Sequence, residues 1–356
     1  MNKVVLVSSI RPDTIRISLI IEELKKYFQL VLVSVGQHYD ENLDKIQYQQ
    51  LRIHVPNYIL NPAKEPKEKQ IGEVIIQFSK VLQDEKPEFV VILGDNDGSM
   101  ACSIATVKLK IPLVHLESGH RSMCWDMQEE RNRRIIDHIA DLNLCYLHSH
   151  KDNLIREGIS PSNIFVIGNP MIDIVRKWEN EVKPPKYKNY MLVTLHRGET
   201  VDDGDLLNEI ICAIGQLNIP TLMVLMPRTK KSLQKFHLSL PDNVTAIDPQ
   251  GYLDFLALEK HADIVLTDSG SCPEECYILG VPCVTIRNTT ERTDLIEMGV
   301  NVLAGIDRDK IINAVNFALQ TQSKLQEQNP EFHYGQNVAH KVTNILLSNW
   351  QFWEKR

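Results

Sequence analysis

The sequence lacks the motifs and runs that mark several large classes of protein. No Walker A motif is present and no GxGxxG follows the first apolar segment, which argues against phosphoryl transfer on a P-loop and against NAD chemistry. No apolar run approaches the length of a membrane span, and Val4–Val7 is too short for the core of a signal peptide. We therefore expect no membrane as a partner.

Basic charge and paired cysteines are also scarce. The net charge of -7 argues against nucleic acid or an anionic surface as a partner, so a phosphorylated ligand would need a local cluster of arginines. The seven cysteines include no CxxC pair, which predicts reduced thiols in a cytoplasmic protein. Cys272 and Cys276 share a helix face, but no neighbour in the sequence completes a zinc site. We expect them to pack in the core, without a metal.

Short β-rich runs alternate with amphipathic stretches along the 356 residues, a length sufficient for two domains. This alternation predicts an α/β protein with two Rossmann-like, doubly wound domains and ligands at the carboxyl ends of strands in the cleft between them. The predicted domains are 1–177 and 190–337, with a polar linker at 178–189 and a carboxyl-terminal helix at about 338–356 that joins the first domain. The predicted strands are Val4–Ser8, Leu30–Val35, Phe89–Leu93, Leu113–Leu116, Leu142–Leu147, Ile164–Ile167, Met191–Leu195, Thr221–Leu225, Val244–Ile247, Ile264–Leu266 and Pro282–Ile286.

The segment 263–292 carries the strongest single signal. An apolar strand at Ile264–Leu266 leads into a polar turn containing Ser269 and Gly270, and then into a helix with proline in its first turn. The first amide groups of such a helix have no partner within it and lie at the positive end of its dipole, so they can bind an anion. Glu275 can accept hydrogen bonds from sugar hydroxyls. The segment predicts a nucleotide-diphosphate site, with an ordinary strand–turn–helix connection as the alternative.

Carboxylates follow the predicted strands of the first half. Asp95 follows the strand Phe89–Leu93, Glu117 follows the next strand, and Glu129 opens a helix in which Arg133 lies one turn further on. Because parallel strands end at one edge of a sheet, we expect the three carboxylates to converge on one pocket wall. The pKa values of close carboxylates move apart, which supplies an acid and a base near neutral pH. Alternatively, Asp95 and Glu117 cap helices and Glu129 pairs with Arg133.

Two weaker signals lie in the second half. His196 and Arg197 follow the strand Met191–Leu195, where they suit a diphosphate, although an exposed loop pair is the alternative. Phe255 lies in a helical pattern and either stacks on a base or packs in the core.

These motifs together resemble the non-hydrolysing UDP-N-acetylglucosamine 2-epimerases over nearly the whole chain. The order and spacing of the pieces carry the resemblance, because each piece alone has little specificity. The matching pieces are Arg11-Pro12, Gln37-His38, Gly94-Asp95, His115-Leu-Glu117-Ser-Gly119, Glu129-Glu-Arg-Asn-Arg133, Gly168-Asn-Pro170, His196-Arg197, Thr267-Asp-Ser-Gly270, Glu274-Glu275 and Thr289-Thr-Glu-Arg292.

The resemblance implies a GT-B fold, a homodimer and no metal or redox cofactor. It implies reversible conversion of UDP-N-acetylglucosamine to UDP-N-acetylmannosamine, by elimination of UDP to a 2-acetamidoglucal and re-addition. The catalytic residues that it implies are Asp95, Glu117, Glu129, Arg133 and His196. The residues that it implies for binding the UDP-sugar are Arg11, Arg197, Phe255, Ser269, Gly270, Glu275, Arg287 and Arg292. A second UDP-sugar activates many bacterial relatives, and Gln37, His38 and Gln70 match that region loosely.

Four short segments beside the implied pocket depart from the family pattern. This chain has Ser118 for alanine, Gln128 for proline, Ser271 for glycine and Thr293-Asp294 for Pro-Glu. The carboxylates remain, so the reaction class is expected to hold while the sugar stays open. The alternatives are a C2-epimerase of a modified UDP-hexosamine (a diacetamido uronic acid or a 6-deoxy sugar), a hydrolysing epimerase releasing UDP and N-acetylmannosamine, a GT-B glycosyltransferase, or a catalytically idle UDP-sugar sensor.

Overall fold

The computed structural model describes residues 2–9, 11–36, 46, 48–63 and 66–348, with the backbone alone at residues 11, 324 and 326. The chain divides into two compact units, the first comprising Met1–Ile174 and Glu331–Arg356 and the second comprising Val175–Pro330. Among the described residues, no helix combines the length and the apolar character needed to cross a membrane.

Strands and helices alternate in both units. The strands are β1 Lys3–Ser8, β2 Gln29–Val35, β3 Tyr58–Leu60, β4 Phe89–Leu93, β5 Leu113–Leu116, β6 Leu142–Cys145, β7 Ile164–Val166, β8 Met191–Leu195, β9 Thr221–Leu225, β10 Val244–Ile247, β11 Ile264–Thr267, β12 Cys283–Thr285 and β13 Asn301–Leu303. The helices are α1 Arg11–Leu24, α2 Lys67–Glu85, α3 Asp97–Lys108, α4 Gln128–Ile139, α5 His148–Arg156, α6 Pro170–Trp178, α7 Gly198–Val201, α8 Gly204–Leu217, α9 Pro227–Lys235, α10 Tyr252–Lys260, α11 Cys272–Leu279, α12 Thr293–Glu297, α13 Arg308–Gln320, α14 Gln322–Gln326, α15 Pro330–Tyr334 and α16 Val338–Ser348.

The first unit contains a seven-stranded sheet in the order β3-β2-β1-β4-β5-β6-β7, and its described strand pairs are parallel. The strand order reverses direction between β1 and β4, which is where open parallel sheets bind ligands. All five residues of β4 are buried, as expected for a strand covered by helices on both faces. Asn96 caps the start of α3, because its side chain accepts a hydrogen bond from the Ser99 amide at 3.0 Å.

The second unit repeats the same plan with six parallel strands in the order β10-β9-β8-β11-β12-β13. One face of the sheet packs on α8 and α13 through residues such as Ile210 and Ile311. The other face packs on α10 and α11 through Leu258 and Cys276. The reversal of strand order falls between β8 and β11, and the residues predicted to bind the diphosphate follow the carboxyl ends of these two strands.

The predicted α/β class with two parallel, doubly wound sheets is confirmed, and so are the predicted strands, with small shifts at their ends. Two strands were not predicted: β3 and β13 have three residues each and lie at sheet edges. An edge strand has a partner on one side only, and three residues do not show a period in the sequence. Strand β6 ends at Cys145 rather than at the predicted Leu147, because α5 begins at His148.

Candidate active site

Asp95 and Glu117 leave adjacent strands of the first sheet at the same edge. Leu93 at the end of β4 pairs with Leu116 at the end of β5, and neighbouring strands lie about 4.8 Å apart. The Asp95 side chain is 28% exposed and that of Glu117 is 15% exposed, so both carboxylates remain accessible to a ligand. The structure therefore places these two predicted residues at the carboxyl-end edge of the sheet, with Asp95 after the strand that borders the reversal and Glu117 after the next strand.

Arg133 is oriented by two carboxylates. Its Nε donates to Asp95 Oδ2 at 2.6 Å, and its Nη1 lies 3.4 Å from Glu130 Oε2. Glu130 is fully buried and also accepts from the Ser122 amide at 2.8 Å. Arg133 links α4 to the end of β4 in this way. Glu129, in the first turn of α4, is partly exposed.

Glu117 has a backbone conformation that residues other than glycine rarely adopt. Its φ angle is +67°, in the left-handed region, and such a conformation costs on the order of 1–3 kcal/mol when other contacts impose it. The carbonyl of Glu117 accepts from Nδ1 of His120 at 3.0 Å. Gly119 follows at φ +81°, and a Cβ there would lie 2.3 Å from the carbonyl oxygen of His150, so only glycine fits. Strain at Glu117 is a feature found at functional sites.

A buried ion network lies behind these two strand ends. Asp137 of α4 accepts from Nδ1 of His115 at 2.7 Å and from the Gly119 amide at 3.3 Å, and its Oδ2 lies 2.8 Å from Nη1 of Arg121. Burial raises the pKa of Asp137, but the hydrogen bond and charge of His115 and the charge of Arg121 outweigh it, so the pKa lies below its usual value. Arg121 also forms a two-point ion pair with Glu157, at 2.8 and 2.6 Å.

In the second unit, Asp268 holds His196 and the start of the following loop. Asp268 is fully buried and accepts from the backbone amides of His196 and Arg197, both at 2.9 Å. Its Oδ1 lies 3.0 Å from Nδ1 of His196, whose side chain is 39% exposed. Burial raises the pKa of Asp268, but these hydrogen bonds and the charge of His196 outweigh it, so the pKa is lowered. An ionised Asp268 fixes the imidazole and leaves Nε2 to face a ligand.

The turn between β11 and α11 is narrow and rich in donors. Ser269 Oγ lies 3.2 Å from Ser271 Oγ and accepts from the Ser271 amide at 3.3 Å. A Cβ on Gly270 would lie 2.8 Å from Oε1 of Glu291. Arg292 donates to the Gly270 carbonyl at 3.4 Å and pairs with the buried Glu274 at 3.1 Å. The turn at the start of α11 is therefore bordered by two serine hydroxyls and by the Arg292 guanidinium, which are groups that can donate to an anion.

Arg287 and Arg197 also lie in the second unit, near the turn that contains Ser269 and Gly270. Arg287 is almost fully buried, and it pairs with Glu199 and Glu291, each at 3.1 Å. Nε of Arg197 is buried and has no hydrogen-bond partner within the described part of the chain. A Cβ on Gly270 would lie 3.5 Å from Nη2 of Arg197, so this arginine reaches the turn.

Glu275 belongs to a buried cluster that also contains Glu259 and Cys272. The carboxylate oxygens and the thiol sulfur lie within 4.8 Å of one another. Among the described residues, this is the cluster whose spacing could hold a metal ion. Burial and the neighbouring charge of Glu275 raise the pKa of Glu259 well above its usual value, and burial with the two carboxylates raises that of Cys272. A metal ion at this cluster would have to displace the protons of the Glu259 carboxyl group and the Cys272 thiol, which the raised pKa values favour.

The remaining predicted residues are less informative. Phe255 is partly buried against the core beneath α10 and α11, the packing role given as an alternative. Gln70 lies in α2 and is partly exposed. The side chain of Arg11 and the whole of Gln37 and His38 lie outside the described residues.

Several buried residues of the site were not predicted. Asp137, Asp268, Glu130, Glu274 and Glu291 each hold another residue of the site, yet each resembles a surface charge in the sequence. Asp268 and Glu274 flank the predicted turn closely enough to have been found. Asp137 gave no such signal, because its partners lie in other elements of the fold.

Comparison with known proteins gives a consistent result. Residues 22–347 match the family model described as UDP-N-acetylglucosamine 2-epimerase. A UDP-N-acetylglucosamine 2-epimerase of Methanocaldococcus jannaschii is 38% identical over 366 residues, which cover 97% of this chain and 98% of that protein. A UDP-2,3-diacetamido-2,3-dideoxy-D-glucuronate 2-epimerase of Pseudomonas aeruginosa is 31% identical over 355 residues, which cover 97% and 99%.

Among solved structures, the crystal structure of the Methanocaldococcus jannaschii UDP-GlcNAc 2-epimerase in complex with UDP-GlcNAc and UDP is similar, with a TM-score of 0.89 and 35% identity. The similarity covers 97% of this chain and 99% of that one. Two parallel Rossmann-like units of this kind define a protein of the GT-B class. This chain belongs to the UDP-N-acetylglucosamine 2-epimerase family, which confirms the predicted family and fold class.

Proposed function

We propose that this protein catalyses the reversible C2 epimerisation of UDP-N-acetylglucosamine to UDP-N-acetylmannosamine. The observation that carries the proposal is the emergence of Asp95 and Glu117 from adjacent strand ends, within a chain of this family. A sugar C2 proton is weakly acidic, so its removal needs a positioned base, which contributes about 10²–10⁴ in rate.

The reaction proceeds in two stages. A carboxylate removes the C2 proton while the C1–oxygen bond breaks, and UDP leaves with the bonding electrons to give a 2-acetamidoglucal. A second acid then protonates the opposite face of C2 as a UDP oxygen attacks C1. Asp95, Glu117 and Glu129 supply the acid and base groups, and Arg133 provides a fixed positive charge beside Asp95.

The residues of the second unit hold the diphosphate and the sugar. The turn at Ser269 and Gly270 lies at the start of α11, where the helix dipole favours an anion, and His196 offers Nε2 because Asp268 contacts its other nitrogen. Arg197 contributes its charge. Arg287 and Arg292 are held near the turn by their carboxylate partners, Glu291 and Glu274. Negative charge that develops on departing UDP is stabilised by these groups. Neither a metal nor a redox cofactor takes part in this scheme.

A second candidate substrate is a UDP-2,3-diacetamido uronic acid. The observation that favours it is the 31% identity to the Pseudomonas aeruginosa enzyme named for that sugar. Of the four departures from the family pattern, Ser118 is fully buried and lies 3.4 Å from Sγ of Cys145, so it does not bear on the sugar. Ser271, beside Ser269, is the departure in direct contact with the proposed phosphate turn.

Isotope exchange tests the proposal. The enzyme is incubated in D₂O with each of the two UDP-sugars in separate samples and followed by NMR. Deuterium at C2 of N-acetylglucosamine with UDP still attached is expected, together with the mannosamine epimer. Exchange only in the diacetamido sugar favours the second candidate. Accumulation of free UDP with N-acetylmannosamine contradicts the non-hydrolysing outcome, and exchange in neither sugar leaves transfer or sensing as the function.

The assembly and location are part of the same proposal. We expect a homodimer, which light scattering coupled to gel filtration would detect as twice the mass of the chain. The seven cysteines are free, which supports a reducing cytoplasm, where nucleotide sugars are available. A second UDP-sugar is expected to act as an activator near Gln70.

A further inference from the structure

Asp137 connects the two loops that carry proposed catalytic carboxylates. It lies in α4, it is almost fully buried, and the reaction scheme assigns it no role. Its two carboxylate oxygens have different partners: Oδ1 contacts His115 in β5, and Oδ2 contacts Gly119 and Arg121 in the loop after β5. The two arms can be followed separately.

The first arm runs from Asp137 to the loop after β4. Oδ1 lies 2.7 Å from Nδ1 of His115, and Nε2 of the same ring lies 3.0 Å from the carbonyl oxygen of Gly94. Both ring nitrogens therefore lie within hydrogen-bond distance of an oxygen, so the ring is held from both sides. Gly94 immediately precedes Asp95 and has a φ angle of +85°. The imidazole therefore fixes the peptide from which Asp95 projects.

The second arm runs from Asp137 to the loop after β5. Oδ2 accepts from the Gly119 amide at 3.3 Å and pairs with Arg121 at 2.8 Å. Arg121 also donates to the His120 carbonyl at 2.6 Å. These contacts hold Gly119, His120 and Arg121, shortly after Glu117, whose own left-handed conformation needs such support.

We propose that Asp137 is a positioning residue, whose single buried carboxylate sets the Asp95 and Glu117 carboxylates relative to each other. The inference rests on the proposed function, because it assigns both carboxylates to the reaction. Because Asp137 contacts both the loop after β4, through His115, and the loop after β5, it fixes the position of one loop relative to the other. A misplacement of about 1 Å at a reacting group costs about 100-fold in rate.

The first test compares Asp137→Asn with Asp141→Asn. Asp141 accepts from the Leu113 amide at 2.9 Å, so it holds the opposite end of β5 and serves as a matched structural control. We expect Asp137→Asn to lower kcat about 100-fold with KM and the Kd for UDP changed less than about threefold, and Asp141→Asn to leave kcat within about twofold. Equal kcat values for the two variants would overturn the proposal.

A mutant cycle separates positioning from general damage. On an Asp95→Asn/Glu117→Gln background, Asp137→Asn should lower the residual kcat by less than about threefold, because both positioned groups are already inactive. A loss of about 100-fold on both the wild-type and this background would show that Asp137 acts independently of the two carboxylates. If Asp137→Asn does not fold, His115→Asn tests the first arm alone, and it should lower kcat in the wild type but not on an Asp95→Asn background.

Crystal structures make the test independent of the reaction. In the crystal structure of Asp137→Asn we expect the Asp95 or Glu117 carboxyl group to move by about 1 Å. If Asp137→Asn does not fold, the same displacement is expected in His115→Asn. In Asp141→Asn we expect neither carboxyl group to move. Unmoved carboxyl groups would contradict the proposal whatever the substrate. A wild-type enzyme without exchange in either UDP-sugar would instead contradict the proposed function.

Discussion

At the residue scale, the arginines of the candidate site are oriented by carboxylates before any ligand binds. Arg133 contacts Glu130 and Asp95, Arg292 contacts Glu274, and Arg287 contacts Glu291, and all three guanidinium groups are buried. The three carboxylates that hold them, Glu130, Glu274 and Glu291, are buried as well. A buried charge is stable only with a partner, and a pre-oriented guanidinium loses less entropy on binding an anion. If these arginines bind the UDP-sugar as proposed, Glu130, Glu274 and Glu291 would raise ligand affinity by orienting the arginines.

Glu117→Gln gives the sharpest test at this scale. Glutamine keeps the size of the side chain and removes the group that can take or give a proton. We expect turnover to fall by about 10²–10⁴, measured by C2 deuterium exchange, while UDP binding measured by calorimetry is retained. Glu23→Gln is the control, because Glu23 lies in the last turn of α1 and pairs with the exposed Lys26. Unchanged turnover in Glu117→Gln would remove Glu117 from the mechanism.

At the element scale, long apolar runs made the fold predictable. The strands β1, β4 and β8 are buried over most of their length and appear in the sequence as continuous apolar segments. From the sequence alone, these runs then predicted that Asp95, Glu117 and His196 follow the carboxyl ends of strands. Asp137 could not be located in this way, because a single aspartate on the face of a helix gives no sign of its partners.

Two glycines outside the site provide a matched test of helix energetics. Gly72 lies inside α2 and Gly280 ends α11 at φ +72°, and a Cβ at either position would meet nothing within 4 Å. We expect Gly72→Ala to stabilise the fold by about 0.5–1 kcal/mol, because alanine has less backbone freedom to lose. Gly280→Ala should destabilise by about 1–2 kcal/mol, because the left-handed conformation disfavours a side chain.

Thermal unfolding would show the two substitutions moving Tm in opposite directions, by a few degrees each. A decrease in Tm for Gly72→Ala, or no change for Gly280→Ala, would contradict the assignment of helix interior and helix end.

At the scale of the whole molecule, buried carboxylates respond to pH in two opposite ways. The pKa values of Asp137 and Asp268 are lowered, since donors and cations outweigh burial, so their contribution to stability is present above the pKa of the unfolded chain and is lost on acidification. The pKa of Glu259 is raised, since burial and the charge of Glu275 act together. Stability should therefore decline at both ends of the pH range.

Glu259→Gln isolates the alkaline side of this balance. Above the pKa of the unfolded chain, wild-type folding takes up a proton at Glu259, so the wild type loses stability as pH rises toward the raised folded-state pKa. Glutamine does not titrate. We expect the difference in Tm, variant minus wild type, to increase between pH 5 and pH 8 when measured by calorimetry. The exposed Glu297 of α12, solvated in both states, supplies the control Glu297→Gln. A difference for Glu259→Gln that stays constant or falls with pH would show that Glu259 folds ionised and that its environment in α10 is polar.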